Sequence, residues 1–302
     1  MSFNLENIPS QKGKIAIVTG ANSGLGKEIT IGLAQKEIKV IMACRNQSKA
    51  ESAKAEVISK VNSADIEIMI LDLNSLNSVR NFATAFGEKC NRLDLLIENA
   101  GIMIPPLSKT EDGFESQMGV NYFSHFLLTN LLYPLLNKTE GARIATTSSL
   151  AHEKGRIDFD NLNAEKSYSK IGAYGQSKLA CLLFAYELKR RLEKAGSNVI
   201  AVSSHPGVSK TNLFTNIPTL AQILMAPFLP IFTHLPKYAA LPTLYAALGP
   251  DVKSGDYFGP TGFNGMKGKP GKVKSKPHSY DEKVASELWD ISEKLTGEKF
   301  IL

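Results

Sequence analysis

KIAIVTGANSGLGKEITIGLA, residues 14–34, is the stretch of sequence that decides the fold. Residues 14–19 form a short apolar run rich in β-branched side chains, which predicts a buried strand. Residues 25–34 carry apolar side chains at helical spacing, which predicts a helix. The glycines between them predict a tight turn. The stretch therefore predicts a strand, a glycine-rich turn and a helix, in that order.

The same alternation continues along the chain. Further predicted strands cover residues 40–43, 66–71, 93–97, 143–147 and 199–202, and predicted helices cover residues 50–61, 114–136 and 174–192, with the middle of another at 79–86. Each strand is apolar on both faces, as expected of a parallel sheet covered by crossover helices. We predict an α/β fold whose doubly wound, mostly parallel, Rossmann-type sheet has six to seven strands with helices on both faces. We assign residues 1–302 to one dinucleotide-binding domain.

The composition limits the class of protein and its compartment. The chain has 302 residues, 43% of them hydrophobic and 21% charged, which excludes intrinsic disorder and fibrous repeats. Cys44, Cys90 and Cys181 are far apart, with no spacing typical of disulfide frameworks or zinc sites. The first residues, MSFNLENIPSQKGK, lack the apolar run of a signal peptide. We therefore expect a cytoplasmic protein that binds no metal.

The net charge of +6 is diffuse except in residues 267–276, KGKPGKVKSK, which contain five lysines. We interpret this segment as a solvated surface loop. The alternative is a weak affinity for anionic surfaces or nucleic acid. Because no groove-reading motif accompanies the lysines, we expect no nucleic-acid partner.

Residues 217–235, IPTLAQILMAPFLPIFTHL, carry no formal charge over nineteen residues. Pro218, Pro227 and Pro230 divide the segment, which disfavours a membrane-spanning helix. We expect an apolar lid over a substrate pocket around residues 212–240, with an interfacial membrane contact as the alternative.

The glycine-rich turn lies where a dinucleotide pyrophosphate meets the N-terminus of a helix. Gly20 permits the tight turn, Gly24 lets the backbone approach the phosphates, and Gly26 lets the helix pack on the strand. A turn without a ligand is the alternative, because a glycine-rich turn alone is weak evidence. The predicted phosphate-binding residues are Gly20, Asn22, Ser23, Gly24, Leu25 and Gly26.

Arg45 lies at the end of the second predicted strand, just beyond residues 40–43 and about 25 residues beyond Gly20. At this position such folds distinguish the two nicotinamide cofactors. A carboxylate there would bind the ribose 2′-hydroxyl of NAD, whereas an arginine pairs with the 2′-phosphate of NADP. We therefore prefer NADP(H), with NAD(H) as the alternative if Arg45 is only a solvated loop residue.

Tyr174 and Lys178 are four residues apart, so they share one face of the predicted helix. An ammonium group near a phenol favours the phenolate, which makes a tyrosine usable as a general acid and base. The same spacing also arises by chance on helix surfaces, so the pair needs support from other motifs.

Together with the glycine turn, these residues resemble the short-chain dehydrogenase/reductase family, from residue 14 to about residue 295. Seven motifs occur in the order typical of that family: TGANSGLG at Thr19, DLN at Asp72, ENAG at Glu98, VNYFSHF at Val120, TTSS at Thr146, YGQSK at Tyr174 and HPGVSKT at His205. The insert at residues 150–173 and the tail at residues 255–272 resemble the retinol dehydrogenase-like branch. Many vertebrate members of that branch have an N-terminal membrane anchor, which is missing here, so we expect a soluble relative.

The resemblance implies a role for each matching residue. Ser149, preferred to Ser148 by motif alignment, would hold the substrate oxygen beside Tyr174. Lys178 would bind the nicotinamide ribose, and Asn121 would kink its helix to hold a water of a proton relay. The remaining implied cofactor contacts are Asp72 and Leu73 at the adenine, Asn99, Ala100 and Gly101 at the middle of the cofactor, and Pro206, Gly207, Val208 and Thr211 at the carboxamide.

The resemblance also implies the reaction. We expect an NADP(H)-dependent oxidoreductase that interconverts a carbonyl and an alcohol on a small apolar molecule, acting as a monomer or homodimer. The alternative is a nucleotide-bound redox sensor with little turnover. Glu98 departs from the family, which usually has asparagine there, and we interpret it as a structural variant. His125 is interpreted as partly buried packing.

Overall fold

The computed structural model describes residues 3–208 and 235–302. Its sheet has eight strands in the order β3-β2-β1-β4-β5-β6-β7-β8. The strands are β1 Ile15–Thr19, β2 Lys39–Cys44, β3 Ile66–Ile70, β4 Leu95–Glu98, β5 Arg143–Thr147, β6 Ile200–Ser204, β7 Tyr257–Gly262 and β8 Lys267–Lys272. All neighbours pair in parallel except β7 and β8, which are antiparallel. The doubly wound α/β fold is confirmed, with slightly more strands than the six to seven predicted.

The helices cover both faces of this sheet. They are α1 Gly24–Ala34, α2 Gln47–Lys60, α3 Leu76–Lys89, α4 Ser116–Met118, α5 Ser124–Asn137, α6 Lys170–Lys194, α7 Pro236–Ala239, α8 Leu241–Leu248 and α9 Glu282–Thr296. One apolar cluster lies between the sheet and α3, α5, α6 and α9, and a second lies between the sheet and α1, α2 and α8. Because both faces of the strands are buried, the strand sequences are apolar runs without alternation.

The predicted long helix over residues 114–136 is present, but it begins at Ser116 and is not a regular α-helix throughout. The structure has the short α4, a π-helical turn at Gly119–Phe123 and then α5. In the π-helical turn the Ser124 N–H donates to the Gly119 carbonyl, five residues earlier. Such turns are frequent at functional sites. The irregularity that the family resemblance implied at Asn121 is therefore present.

The interpretation of residues 267–276 as a loop is wrong for Lys267–Lys272, which form the edge strand β8. Lysine, glycine and proline are poor strand formers, so their composition indicated a loop. At a sheet edge, lysine and proline are tolerated because only one side of the strand is paired, and they prevent pairing with other chains.

Helix α9, the last helix of the chain, packs on α5 and α6. The Asp281 side chain caps it by accepting from the Lys283 and Val284 N–H groups, and Gly297 ends it in the left-handed region. Trp289 is fully buried, with its ring 5.1 Å from that of Phe126 and 5.7 Å from that of Phe184. Helix α9 thus completes one of the two apolar clusters.

Candidate active site

The glycine turn between β1 and α1 has the shape that the sequence predicts. Gly20 and Gly24 have φ angles of +66° and +50°, which favour glycine. A Cβ on Gly26 would lie 2.3 Å from the Gly20 carbonyl oxygen, so α1 can approach β1 this closely only with glycine. Ser23, at the N-cap of α1, makes no side-chain capping bond. The first N–H groups of α1 are thus suited to an anion.

Two other predicted residues of this turn, Asn22 and Leu25, are half-buried, and Ser23 is exposed. The end of β2 lies against the turn, since the Gly20 N–H donates to the Ala43 carbonyl at 2.9 Å. Arg45 follows directly and is exposed. In the part of the chain that the structure describes, no acidic side chain pairs with it. Its guanidinium group can therefore meet an anionic ligand beside the turn.

The end of β3 carries the two residues predicted at the adenine. The Asp72 carboxylate accepts from the Asn74 N–H at 2.9 Å, which fixes the turn into α3. Leu73 is buried in the apolar core, and its carbonyl accepts from the Ser124 hydroxyl at 2.7 Å. Both residues lie at the predicted strand end, although the Leu73 side chain contributes to the core.

Asn99, Ala100 and Gly101 follow β4 and lie against the glycine turn. The Thr19 hydroxyl accepts from the N–H groups of Asn99 and Ala100, both at 2.9 Å. The Asn99 side-chain oxygen is buried and has no hydrogen-bond partner within residues 3–208 and 235–302. A buried acceptor without a donor is costly, so this oxygen fits a ligand that donates a hydrogen bond. The residues present therefore fit a bound dinucleotide.

Asn121 lies in the π-helical turn and joins the cofactor side of the site to α6. Its amide nitrogen donates to the Ile102 carbonyl at 3.0 Å and to the Ser177 hydroxyl at 2.9 Å, and its amide oxygen accepts from the Ile102 N–H. The Ser177 hydroxyl donates to the Tyr174 carbonyl at 2.9 Å. Asn121 thus connects the loop after Gly101 with the helical turn that carries Tyr174.

Tyr174 and Lys178 are buried on one face of α6, as the spacing predicts. The Lys178 ammonium nitrogen lies 5.9 Å from the centroid of the Tyr174 ring and donates to the Thr147 carbonyl at 2.9 Å. A Cβ on Gly101 would lie 3.0 Å from the Asn121 amide oxygen and 3.4 Å from this ammonium nitrogen. Gly101, Asn121, Tyr174 and Lys178 therefore meet at the carboxyl end of the sheet.

The two serines after β5 have different surroundings. The Ser148 hydroxyl is buried and donates to the Lys178 carbonyl at 2.7 Å. The Ser149 hydroxyl accepts from the Ala151 N–H at 3.2 Å, and the residue is half-buried. The Ser149 hydroxyl hydrogen remains able to donate, which favours Ser149 over Ser148 for holding an oxygen atom.

The segment after Ser149 packs tightly on α6. A Cβ on Gly155 would lie 2.3 Å from the Gly175 carbonyl oxygen, and a Cβ on Gly175 would lie 3.1 Å from the Ala151 carbonyl oxygen. Because neither position has a side chain, the insert approaches the turn of α6 that carries Tyr174. This contact brings the Ser149 turn to the tyrosine.

Pro206, Gly207 and Val208 follow β6 at the same edge. Gly207 has a φ of +71°, and the Val208 N–H donates to the Met266 carbonyl at 2.9 Å. The loop after β7 thus fixes this turn. Thr211, and the expected lid except for residues 235–240, lie outside the described residues.

Sequence reasoning missed Gln117 and interpreted His125 only as partly buried packing. Gln117 is fully buried; its oxygen accepts from the Ile104 N–H at 2.9 Å, and its nitrogen donates to the Tyr168 hydroxyl and the Lys170 carbonyl. His125 is fully buried and contacts the Asn121 carbonyl and the Thr19 hydroxyl, both at 3.0 Å. The signal was available, since Gln117, Asn121 and His125 are spaced four residues apart in an apolar segment.

Burial shifts the protonation of two groups beneath the site. Desolvation lowers the pKa of His125 to about 4 and raises the pKa of Glu98 to about 8. The Glu98 carboxyl has the Thr129 hydroxyl at 2.5 Å as its hydrogen-bond partner. At neutral pH both groups are therefore uncharged, and neither places a net charge under the predicted cofactor site.

Comparisons with known proteins identify the family and similar relatives. The family model for short chain dehydrogenases matches residues 14–220. Human retinol dehydrogenase 13 is 42% identical over 292 residues, covering 94% of this chain and 85% of the relative. Zebrafish polyprenol dehydrogenase is 38% identical over 304 residues, covering 99% and 91%. The crystal structure of an uncharacterized protein from Mycobacterium paratuberculosis is 40% identical, covers 100% of both chains and has a TM-score of 0.84.

Among the described residues, no helix is long and apolar enough to cross a membrane. Within residues 3–208 and 235–302, no three His, Cys, Asp or Glu side chains cluster as a metal site. Cys44, Cys90 and Cys181 are buried and unpaired.

Proposed function

Because the chain belongs to the short-chain dehydrogenase family and is an NAD(P)-dependent oxidoreductase, we propose that it interconverts a carbonyl and an alcohol on an apolar small molecule with NADP(H). The observation that carries this proposal is the Lys178 ammonium group 5.9 Å from the Tyr174 ring, beside the Ser149 turn. The relatives named retinol and polyprenol dehydrogenase support an apolar, lipid-like substrate.

In the proposed reduction, Tyr174 donates a proton to the carbonyl oxygen and Ser149 holds that oxygen through its free hydroxyl hydrogen. Lys178 keeps positive charge beside the phenol, which favours the phenolate left after transfer. Asn121 fixes the loop after Gly101 and the turn of Tyr174 with respect to each other. When bound, NADP(H) supplies or accepts the hydride. The reverse direction uses the same groups, with Tyr174 as the base.

The residues proposed to hold the cofactor follow the strand ends. Backbone groups of the glycine turn would bind the pyrophosphate, and Arg45 would pair with the 2′-phosphate. Asn99 supplies the buried acceptor that has no donor among the described residues. The turn at Pro206, Gly207 and Val208 would receive the carboxamide. The proposal also includes a single domain, a monomer or homodimer, and no nucleic-acid partner.

Tyr174→Phe tests the proposal. Loss of the phenolic hydroxyl should lower kcat by about 10²- to 10⁴-fold, because that is the usual contribution of a general acid or base. The affinity for NADPH, measured by fluorescence titration, should stay within about twofold, since the ring remains. Tyr133→Phe, on α5 against the Phe300 ring, is the matched control and should keep full activity. Full activity of Tyr174→Phe would refute the assigned role.

A redox sensor with little turnover is the second candidate. It is disfavoured because a protein that only binds the cofactor needs neither Ser149 to hold a substrate oxygen nor Tyr174 to transfer a proton. A sensor would bind NADPH tightly and turn over none of a panel of apolar aldehydes and ketones. Tyr174→Phe would change neither its NADPH affinity nor its absence of turnover.

A further inference from the structure

The segment 275–280, which follows the lysine-rich edge strand, lies against the turn after Ser149. The contact is centred on His152, which is only 2% exposed. Its Nδ1 lies 2.6 Å from the Ser149 carbonyl oxygen, and its Nε2 lies 3.3 Å from the backbone nitrogen of Lys276. The His278 Nε2 lies 2.9 Å from the His152 carbonyl oxygen. One side chain thus joins the tail of the chain to the predicted substrate-holding serine.

These contacts determine the protonation state of the His152 ring. A carbonyl oxygen can only accept, so Nδ1 carries the hydrogen and donates to Ser149. The Lys276 N–H can only donate, so Nε2 is unprotonated. His152 is therefore neutral with its hydrogen on Nδ1, and both ring nitrogens have partners. Burial lowers its pKa, which is consistent with the neutral ring.

His152 holds Ser149 from two atoms. The Ser149 carbonyl accepts from the His152 backbone N–H at 3.0 Å and from the His152 ring. The Ser149 hydroxyl in turn accepts from the Ala151 N–H. The backbone of Ser149 and the direction of its hydroxyl are thus set by residues 151 and 152.

The surroundings of His152 hold the ring in place. The ring meets the Tyr257 ring edge-on at 5.8 Å between centroids, and Lys276 forms an ion pair with Glu153 at 3.4 Å. Tyr257 has a second neighbour in His205, 5.3 Å away between centroids. The Ser149 turn, the end of β6 and the start of β7 therefore meet around one buried aromatic cluster.

We propose that His152 is a positioning residue that fixes Ser149 for the substrate oxygen and couples this serine to the segment 275–280. This inference rests on the proposed function of Ser149. It gives the C-terminal segment a part in the reaction although that segment supplies no group to it.

Three variants of His152 separate its two contacts. Asparagine can place an N–H near the position of Nδ1, and glutamine can place an oxygen near the position of Nε2. With NADPH and all-trans-retinal as the probe, His152→Ala should lower kcat by about ten- to a hundredfold, because small misplacements of a reacting group are costly. His152→Asn should recover most of this loss and His152→Gln little of it. The affinity for NADPH should stay within about twofold in all three.

Lys276→Pro tests the coupling from the other side. Lys276 has a φ of −71°, which proline adopts, so the substitution removes the N–H that donates to His152. It also removes the Lys276 side chain and its ion pair with Glu153. Loss of one hydrogen bond should lower kcat by about two- to tenfold. The control is Glu153→Gln, which removes the ion pair with Lys276 but leaves the contacts of His152 intact and should keep kcat within about twofold.

The outcomes distinguish this inference from the proposed function. No turnover by the wild-type protein of retinal or of any other apolar aldehyde or ketone tested would refute the proposed function and with it the role of His152. Wild-type turnover with an unchanged kcat in His152→Ala, or equal losses in His152→Asn and His152→Gln, would refute the positioning role alone. Long-range ¹H–¹⁵N NMR of the wild-type imidazoles gives a test without turnover: His152 must show the hydrogen on Nδ1, and the other tautomer would overturn the inference.

Discussion

Arg45 is the residue on which the proposed cofactor preference depends. It is exposed at the end of β2, beside the glycine turn. Arg45→Ala should weaken NADPH binding by about ten- to a hundredfold and leave NADH binding nearly unchanged, because charged hydrogen bonds to the 2′-phosphate are lost. Fluorescence titration with both cofactors measures this. Lys138→Ala, which removes an exposed charge at the end of α5, should change neither affinity. Equal weakening for NADPH and NADH would contradict the assignment.

Glu98 is a fully buried carboxyl beside the predicted cofactor site, and its burial makes stability depend on pH. Its pKa is about 8 in the folded protein and 4.5 in the unfolded chain. Between these values the folded state binds the extra proton, so its contribution is complete below pH 4.5 and declines as the pH rises toward 8. Relative to Glu98→Gln, the wild-type protein should lose about 2 kcal/mol of unfolding free energy from pH 6 to pH 8. Urea unfolding of both proteins at these pH values measures it, and parallel pH profiles would show that Glu98 does not titrate this way.

Ile104 is a β-branched residue with a φ of +56°, a strained conformation for its type. The Gln117 side chain holds it there by accepting its N–H. Ile104→Gly should raise the unfolding free energy by about 1 kcal/mol, because glycine relieves the strain. Ile102→Gly, two residues earlier and without a positive φ, should lower it by a similar amount. Chemical denaturation measures both, and destabilisation of Ile104→Gly would show that the strain is small.

At the scale of elements, the π-helical turn and β1 are joined by His125. The Asn121 carbonyl can only accept, so the His125 Nδ1 carries the hydrogen and donates to it. The Nε2 of the neutral ring therefore accepts from the Thr19 hydroxyl at 3.0 Å, and that hydroxyl also lies 3.4 Å from the Ile97 carbonyl oxygen. His125→Ala should cost about 2–4 kcal/mol of unfolding free energy, because it removes a fully buried side chain together with two buried hydrogen bonds. Asn130→Ala, with one exposed hydrogen bond on the same helix, should cost within about 0.5 kcal/mol. Urea unfolding compares the two variants, and equal small costs would contradict this role.

The burial of His125 also makes the stability of the folded protein depend on pH, in the acid range. Its folded pKa of about 4 lies below the ordinary value of 6.5, so its contribution to stability is present above pH 6.5 and declines as the pH falls toward 4. The loss over this range is about 3 kcal/mol. The folded protein thus loses stability in acid through His125 and at pH values near 8 through Glu98.

For the molecule as a whole, much of the fold and of the site's arrangement followed from the sequence. Strands that are buried on both faces leave continuous apolar runs, so β1 to β6 were visible, and the spacing of Tyr174 and Lys178 placed them on one helix face. The edge strand β8 was not visible, because its lysine, glycine and proline residues have loop composition. The spacing of Gln117 and His125 places them on one helix face, but the hydrogen-bond partners of Gln117, His125 and His152 lie on segments distant in sequence and could not be predicted.

The proposed roles of the site residues depend on one event, the transfer of a hydride between the nicotinamide and a carbonyl carbon. The most direct measurement incubates the wild-type protein with NADPH deuterated at the transferred position and all-trans-retinal, and examines the alcohol product by mass spectrometry. We predict one deuterium on the former carbonyl carbon of the wild-type product, and formation of this product by Tyr174→Phe that is about 10²- to 10⁴-fold slower. Tight binding of NADPH with no deuterated alcohol from retinal or from any other apolar aldehyde or ketone tested would contradict it.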